Sequence, residues 1–180
     1  MKNIFKLCTI FIMILLAHNC NAQNNYPQDG DNMLNNNIDK FIGTWKWEDN
    51  GQVFRIVLKK ENVKLPVNMN LRGDVLYGWH EYTINGSVQE SDMQYLNSPF
   101  INKKHSLFSM GSVDNPNHLK LAIKHLSKNK SVSGVVEYID STHIKIVKIE
   151  DYPGLKVNLP GKPPFDWSIS LPQNIILTKQ

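Results

Sequence analysis

Cysteine is missing from nearly all of this chain. The 180 residues hold only Cys8 and Cys20. Everything after residue 20 therefore lacks a disulfide, a thiolate metal site and a cysteine nucleophile, and must be held together by packing. Arginine is scarce, with Arg55 and Arg72 alone. No apolar run beyond the first residues is long enough to cross a membrane as a helix. A strong charge of one sign is absent too. The net charge is +4, and two of the lysines, Lys2 and Lys6, lie in the leading residues, so the rest of the chain carries only +2. That near-balance argues against a nucleic-acid partner. No Gly-x-Ser-x-Gly elbow, phosphate loop or dinucleotide fingerprint occurs, so the expectation is a protein that is not an enzyme. Carboxylates such as Glu81, Glu90 and Asp92 offer pairs for acid–base work, as any acidic surface does. Histidines 80, 105, 118, 125 and 143 show no metal-ligand spacing, so neither metal nor cofactor is expected.

What is present begins with an export signal. Lys2 and Lys6 precede an unbroken apolar stretch, Leu7 to Ala17, of about 11 residues, which suits a signal peptide and is too short to span a bilayer. Cys20-Asn21-Ala22 places small residues before a cut ahead of Gln23. The rival reading makes Cys20 an acylated lipoprotein cysteine, but Leu16 then stands one place too early and His18 and Asn19 fit poorly. Export to the periplasm or beyond is expected, with a lipid anchor at Cys20 as the alternative. Residues 1–22 are thus read as signal, 23–37 as a flexible polar leader rich in Asn, Gln, Asp and Gly, and 38–180 as one domain. A chain of this size buries roughly 70% of its unfolded surface, enough for a real core.

Met33, Leu34, Ile38 and Phe41 have helix-like spacing and predict a short helix after the leader. The pattern then turns to period two. Strands are predicted at Thr44–Glu48, from Phe54 through Leu58, at Asp74–Ile84, Val88–Leu96, Leu107–Val113, Leu119–Lys124, Val132–Ile139, His143–Ile149 and Asn174–Thr178. Asn50-Gly51 and Asn85-Gly86 supply the positive φ angles of type I′ hairpins. Glu61 to Gly73 reads as a longer connection. Tyr152 to Pro172 is another, with five prolines that bar it from a central strand. Eight or nine strands joined by hairpins imply an antiparallel meander, and closure into an up-and-down barrel removes its edges. The expected fold is all-β, a single antiparallel barrel.

The stretch Phe41-Ile42-Gly43-Thr44-Trp45-Lys46 resembles the first strand of the calycins, the lipocalins and fatty-acid-binding proteins. That resemblance implies a lipocalin-like barrel in which Gly43 allows a tight strand entry and Trp45 plugs the closed end. Two family features are missing: Asp49-Asn50-Gly51 leaves no room for a helical lid, and no arginine occurs late in the chain. The signal ending, the Gly43-Thr44-Trp45-Lys46-Trp47 start, Asp74-Val75-Leu76-Tyr77-Gly78 and the closing Leu171 to Lys179 resemble small secreted proteins of Bacteroidetes, catalogued as a domain of unknown function. This resemblance implies origin and export route, and no activity.

Candidate ligand contacts concentrate on the aromatic strand. Val75, Tyr77, Trp79 and Glu81 share one face; Leu76, Gly78, His80 and Tyr82 share the other. If the first face turns inward, Glu81 points into or near a cavity with an aromatic wall. If the second does, His80 and Tyr82 offer hydrogen bonds and Gly78 leaves space for a ligand or a ring. Ordinary barrel filling accounts for either face as well. Trp47 and His125 complete the candidate set. Lys103, Lys104, Lys120, Lys124, Lys128, Lys130, Lys145 and Lys148 suggest either a basic strip for anionic glycans or head groups, or a solvated wall. Phe165 and Trp167 are expected to staple the Pro-rich connection onto the barrel. The leading expectation is a carrier of a small apolar or amphipathic molecule. The alternative is a filled barrel that contacts protein or glycan through its surface. Oligomeric state is not legible.

Overall fold

The protein is described by a computed structural model covering residues 26–112, 114–152, 161 and 163–180. The signal, Cys20, Val113, Pro153 and Pro160 lie outside the described residues. Ten strands follow one another: β1 (Asn32–Met33), β2 (Gly43–Asp49), β3 (Gln52–Lys64), β4 (Arg72–Ile84), β5 (Ser87–Ser91), β6 (Leu107–Ser109), β7 (His118–His125), β8 (Lys130–Asp140), β9 (His143–Asp151) and β10 (Ile175–Lys179). Eight of them close a ring in the order β2-β3-β4-β6-β7-β8-β9-β10 and back to β2, antiparallel throughout. No helix among the described residues is long and apolar enough to cross a membrane.

The two Asn-Gly hairpins form as their chemistry demands. Asn50 and Gly51 have φ of 47° and 73°, and Asn85 and Gly86 have φ of 49° and 75°, the left-handed pair a type I′ turn requires. The short helix forms as a 3-10 helix over Asn36–Phe41, and Ile38 and Phe41 are its buried residues. Its N-terminus is capped by the Asn35 side chain, which accepts from the Asn37 N–H at 3.0 Å.

Four expectations need correction. The described part of the leader is tied down: β1 runs parallel to β4, and the Arg72 N–H donates to the Asp31 carbonyl. Its polar side chains serve as anchors, as when the Asp74 carboxylate accepts from the Asn35 N–H at 2.9 Å. The connection expected from Glu61 starts only after Lys64, because Glu61 to Lys64 stay paired with Val75 to Arg72. The strand expected over Val88–Leu96 is extended only to Ser91 and pairs with β4 alone. There the Asp92 carboxylate takes the His80 N–H at 2.9 Å and turns the chain out of the sheet. Of the two residues expected to staple the Pro-rich connection, the half-buried Phe165 lies under Lys130 Nζ of β8 at 5.2 Å, whereas Trp167 is exposed and Ile169 and Leu171 supply the contacts to the core.

Inward residues of all eight barrel strands meet in one core. Trp45, Phe54, Ile56, Leu58, Leu76, Leu107, Leu119, Leu121, Ile123, Val132, Val136, Ile144, Ile146 and Leu177 are each essentially sealed from solvent. Each such side chain contributes roughly 1.5–3 kcal/mol by leaving water. Phe41 and Tyr138 add an edge-to-face ring contact at 5.9 Å.

One part of the wall is closed differently. Strand β6 is short and pairs with β4 only at Leu76–Gly78. Further along, that edge of β4 is taken by β5, at Glu81–Ile84. β5 forms no ladder with β7 or β8. Between β5 and the turn after β7, side chains make the seal.

Candidate functional site

Strand β4 sends its two sets of candidate residues to opposite sides of the wall. Phe54, Ile56 and Leu58 pair with Tyr82, His80 and Gly78, so the Leu76, Gly78, His80 and Tyr82 face is the inward one. The space that Gly78 was expected to leave for a ligand or ring is filled. A Cβ there would meet the Val57 carbonyl oxygen at 2.0 Å and Leu58 at 3.0 Å. The glycine exists so that β3 and β4 can approach.

Inside, His80 is fully buried and anchors a polar chain. Its Nδ1 lies 2.6 Å from Ser106 Oγ and its Nε2 lies 2.6 Å from Glu90 Oε1. The other carboxylate oxygen of Glu90 faces His125 Nδ1 at 2.8 Å and accepts the Ser127 N–H at 2.9 Å and the Ser127 hydroxyl at 2.6 Å. His125 Nε2 accepts the Ser170 N–H at 3.1 Å. That last bond fixes the tautomer: the ring proton sits on Nδ1 and is donated to Glu90. One carboxylate from β5 thus joins β4, β7, the following turn and the segment leading into β10. It is the seal of the seam left between β5 and β7. Burial pushes the Glu90 carboxyl up, but hydrogen bonds from His80 and Ser127 outweigh it and hold the group down to about 2. Asp92, buried nearby, is raised by desolvation against the pull of the His80 N–H. No group of three potential metal ligands occurs among the described residues.

The chain Ser106–His80–Glu90 has the atom order of a hydrolase triad, though its surroundings do not suit that chemistry. Ser106 is 2% exposed. Its N–H is spent on the Gly78 carbonyl at 3.0 Å, so it is not free to stabilise an oxyanion.

The outward set, Val75, Tyr77 and Trp79, is buried as well, and Phe100, Lys104 and His105 of the connection after β5 lie against Tyr77 and Trp79. Trp79 Nε1 donates to the Lys104 carbonyl at 2.7 Å, and Lys59 Nζ lies 5.3 Å from the Trp79 ring. The Tyr77 ring meets Trp79, Phe100 and His105 edge-on at 5.4, 5.6 and 5.7 Å. The Tyr77 hydroxyl donates to Glu61 at 3.1 Å, and burial followed by that carboxylate pushes it up to about 12. Above it, Phe100 and His105 stack at 4.9 Å and 15°, and Phe108 lies 5.9 Å from Phe100 at 33°. Burial and then Lys124 lower the His105 pKa, which keeps that ring uncharged.

The remaining candidates lie apart. Glu81 faces outward and pairs with Arg55 at 3.0 Å. Tyr82 is inward, donates to Gln52 at 2.5 Å and meets Phe54 edge-on. Trp45 is fully buried, with Nε1 donating to the Phe41 carbonyl at 2.8 Å, and the half-buried Trp47 packs on the same core. At Gly43 the φ of 137° favours glycine. His80 and His125 are brought together; Tyr77 and Trp79 are on the far side of the wall; Glu81 and Trp47 join neither group.

Sequence reading names Glu90 only among the carboxylates at large and His105 only among histidines without metal spacing, and it misses Ser106, Ser127 and Ser170 inside and Phe100 and Phe108 outside. A regular two-residue hairpin at Asn85-Gly86 sets Gln89 opposite Tyr82. A bulge between Tyr82 and Thr83 puts Glu90 there instead.

Shallow grooves mark the surface of the described residues. One of about 320 Å³ lies by Lys124–Ser131 and one of about 400 Å³ by Thr44, Lys46, Arg55 and Glu81. Two more, of about 310 and 100 Å³, meet at Phe108 and Ala122 on the outer wall. The first is lined in part by the buried His125, and the last by the buried Ser106 and Ile123. Over residues 1–180 the sequence matches a family of unknown function, DUF6705. The chain belongs to that family. No curated protein and no solved structure matches it.

Proposed function

We propose that this DUF6705 member is an exported, non-enzymatic interaction module that makes its contacts through the outer wall of a filled barrel. The observation that carries this reading is the interior. Large apolar side chains from every barrel strand occupy it, and the His80–Glu90–His125 chain seals the stretch between β5 and β7 where no ladder forms. A barrel of eight strands has room for either side chains or one small ligand, and here the side chains take it. The buried Ser106 and its committed N–H support a non-enzymatic role. The export signal and the resemblance to secreted Bacteroidetes proteins support the location, with Cys20 acylation as the alternative route.

Native mass spectrometry of the exported protein, with titration of an environment-sensitive apolar dye, tests the reading. The expected result is a bare mass and no saturable dye site. A co-purified lipid or pigment whose release perturbs Leu121, Ile146 and Tyr82 in NMR spectra would overturn it in favour of a carrier. Metabolic lipid labelling decides the anchor: label that disappears in Cys20→Ala replaces plain export with anchoring.

A further inference from the structure

The two grooves that meet at Phe108 form one trough across the outer faces of β6, β7 and β8. Its central row is Phe108, Ala122 and Ser133, which are successive partners across the three strands. Phe108 belongs to the stacked rings described above and stands as one wall. Ala122 is small and leaves the floor open. Ser131 and Ser133 supply hydroxyls along the opposite side. Lys120 and Lys124 stand on β7 two residues to either side of Ala122, on the same outward face. Both are exposed, and neither ammonium group forms an ion pair or hydrogen bond among the described residues. At about 3.3 Å of rise per residue they are about 13 Å apart along the strand.

This combination selects a chemistry. A half-buried ring beside a small floor suits the apolar C–H face of a pyranose. Hydroxyls beside it suit sugar hydroxyl groups. Two free ammonium groups, one near each end, suit carboxylates carried at intervals along a chain. A dense polyanion suits it poorly: Glu150 lies next to Ser133 in the ladder and is held by Lys148 at 2.9 Å, so the wall beyond the trough is neutral. The neutral His105 ring, next to Lys124, extends the stacking surface without adding charge.

Resting on the outer-wall reading above, we infer that this trough binds a carboxylated glycan, a chain of uronic-acid sugars, with Phe108 stacking on one ring and Lys120 and Lys124 pairing with carboxylates on either side. The probe is an oligogalacturonate, titrated by calorimetry and NMR, beside neutral dextran and dextran sulfate. The expected result is binding of the oligogalacturonate with shifts at Phe108, Ala122 and Ser133. Lys120→Gln/Lys124→Gln should weaken it about tenfold or more with an unchanged thermal midpoint. Ala122→Leu should weaken it at unchanged charge, by filling the floor. Dextran sulfate binding as well, with Ala122→Leu silent, would overturn the site in favour of bare charge attraction. No oligogalacturonate binding, with a bare mass and no dye site, would end this inference and leave the outer-wall reading standing. Cargo in the interior would end the outer-wall reading itself.

Discussion

The two faces of β4 are both buried, yet they are built on opposite plans. The inner face carries the polar chemistry: His80 sits in a fully paired chain with Glu90 and His125, beside the Phe54 ring at 5.9 Å and the apolar core. The outer face carries the aromatic mass: Tyr77 and Trp79 lie beneath a folded-back connection capped by stacked rings. A carrier would have the aromatic wall inside and a solvated face outside. The inversion teaches that aromatic content along a strand reports burial, and that burial outside a barrel is as available as burial within it. It also makes the half-buried edge of the aromatic cluster, at Phe108, the place where we propose that a ligand binds.

The comparison breaks most visibly at Trp79. Trp79→Ala should cost about 3–5 kcal/mol and raise hydrogen exchange over residues 92–106 while β7–β9 stay protected. If protection falls equally everywhere, the outer layer is not a separate packing unit. On the inner face, Gly78→Ala should cost about 3 kcal/mol in chemical denaturation, because its Cβ has no room against the Val57 carbonyl and only overpacking or strand separation relieves it. A neutral result would mean that β3 and β4 are further apart than described.

Glu90→Gln should cost about 2 kcal/mol, since an amide cannot accept from both imidazoles and Ser127 as the carboxylate does. The pH dependence sharpens this. The folded carboxyl sits at about 2 and an unfolded one near 4.3, so the unfolded state takes up the proton first. Its contribution is full above about pH 5 and is lost as pH falls toward 2. Urea midpoints measured over that window should slope in the native protein and slope less in Glu90→Gln. Equal slopes would place the acid sensitivity elsewhere. The smallest effect belongs to Tyr77→Phe, which removes one hydroxyl bond to Glu61 and should cost about 1 kcal/mol. In the native protein the ultraviolet titration of Tyr77 should lag the exposed tyrosines and reach its midpoint only near pH 12.

How far the sequence reached depended on the range of the force involved. The hairpins were legible because Asn-Gly carries its positive φ locally. The alternation in β7, His118 to His125, was legible because a two-residue period survives in any sheet. Strand β5 was misjudged because its end is set by Asp92 reaching the His80 N–H, a contact across the sheet. Glu90 was passed over because one bulged residue changes which side chain faces in. His80 and His125 were named as candidates, yet nothing along the chain says that one carboxylate would bridge them.

By itself, then, the sequence determined the all-β class, the turns and the reliance on packing that follows from having no cysteine beyond residue 20. These rest on covalent geometry and local periodicity. Only the tertiary structure decided which face of β4 turns inward, what fills the barrel and where its wall needs a side-chain seal. Those depend on register and on a connection folding back over the sheet, and a one-residue change in register exchanges inside for outside.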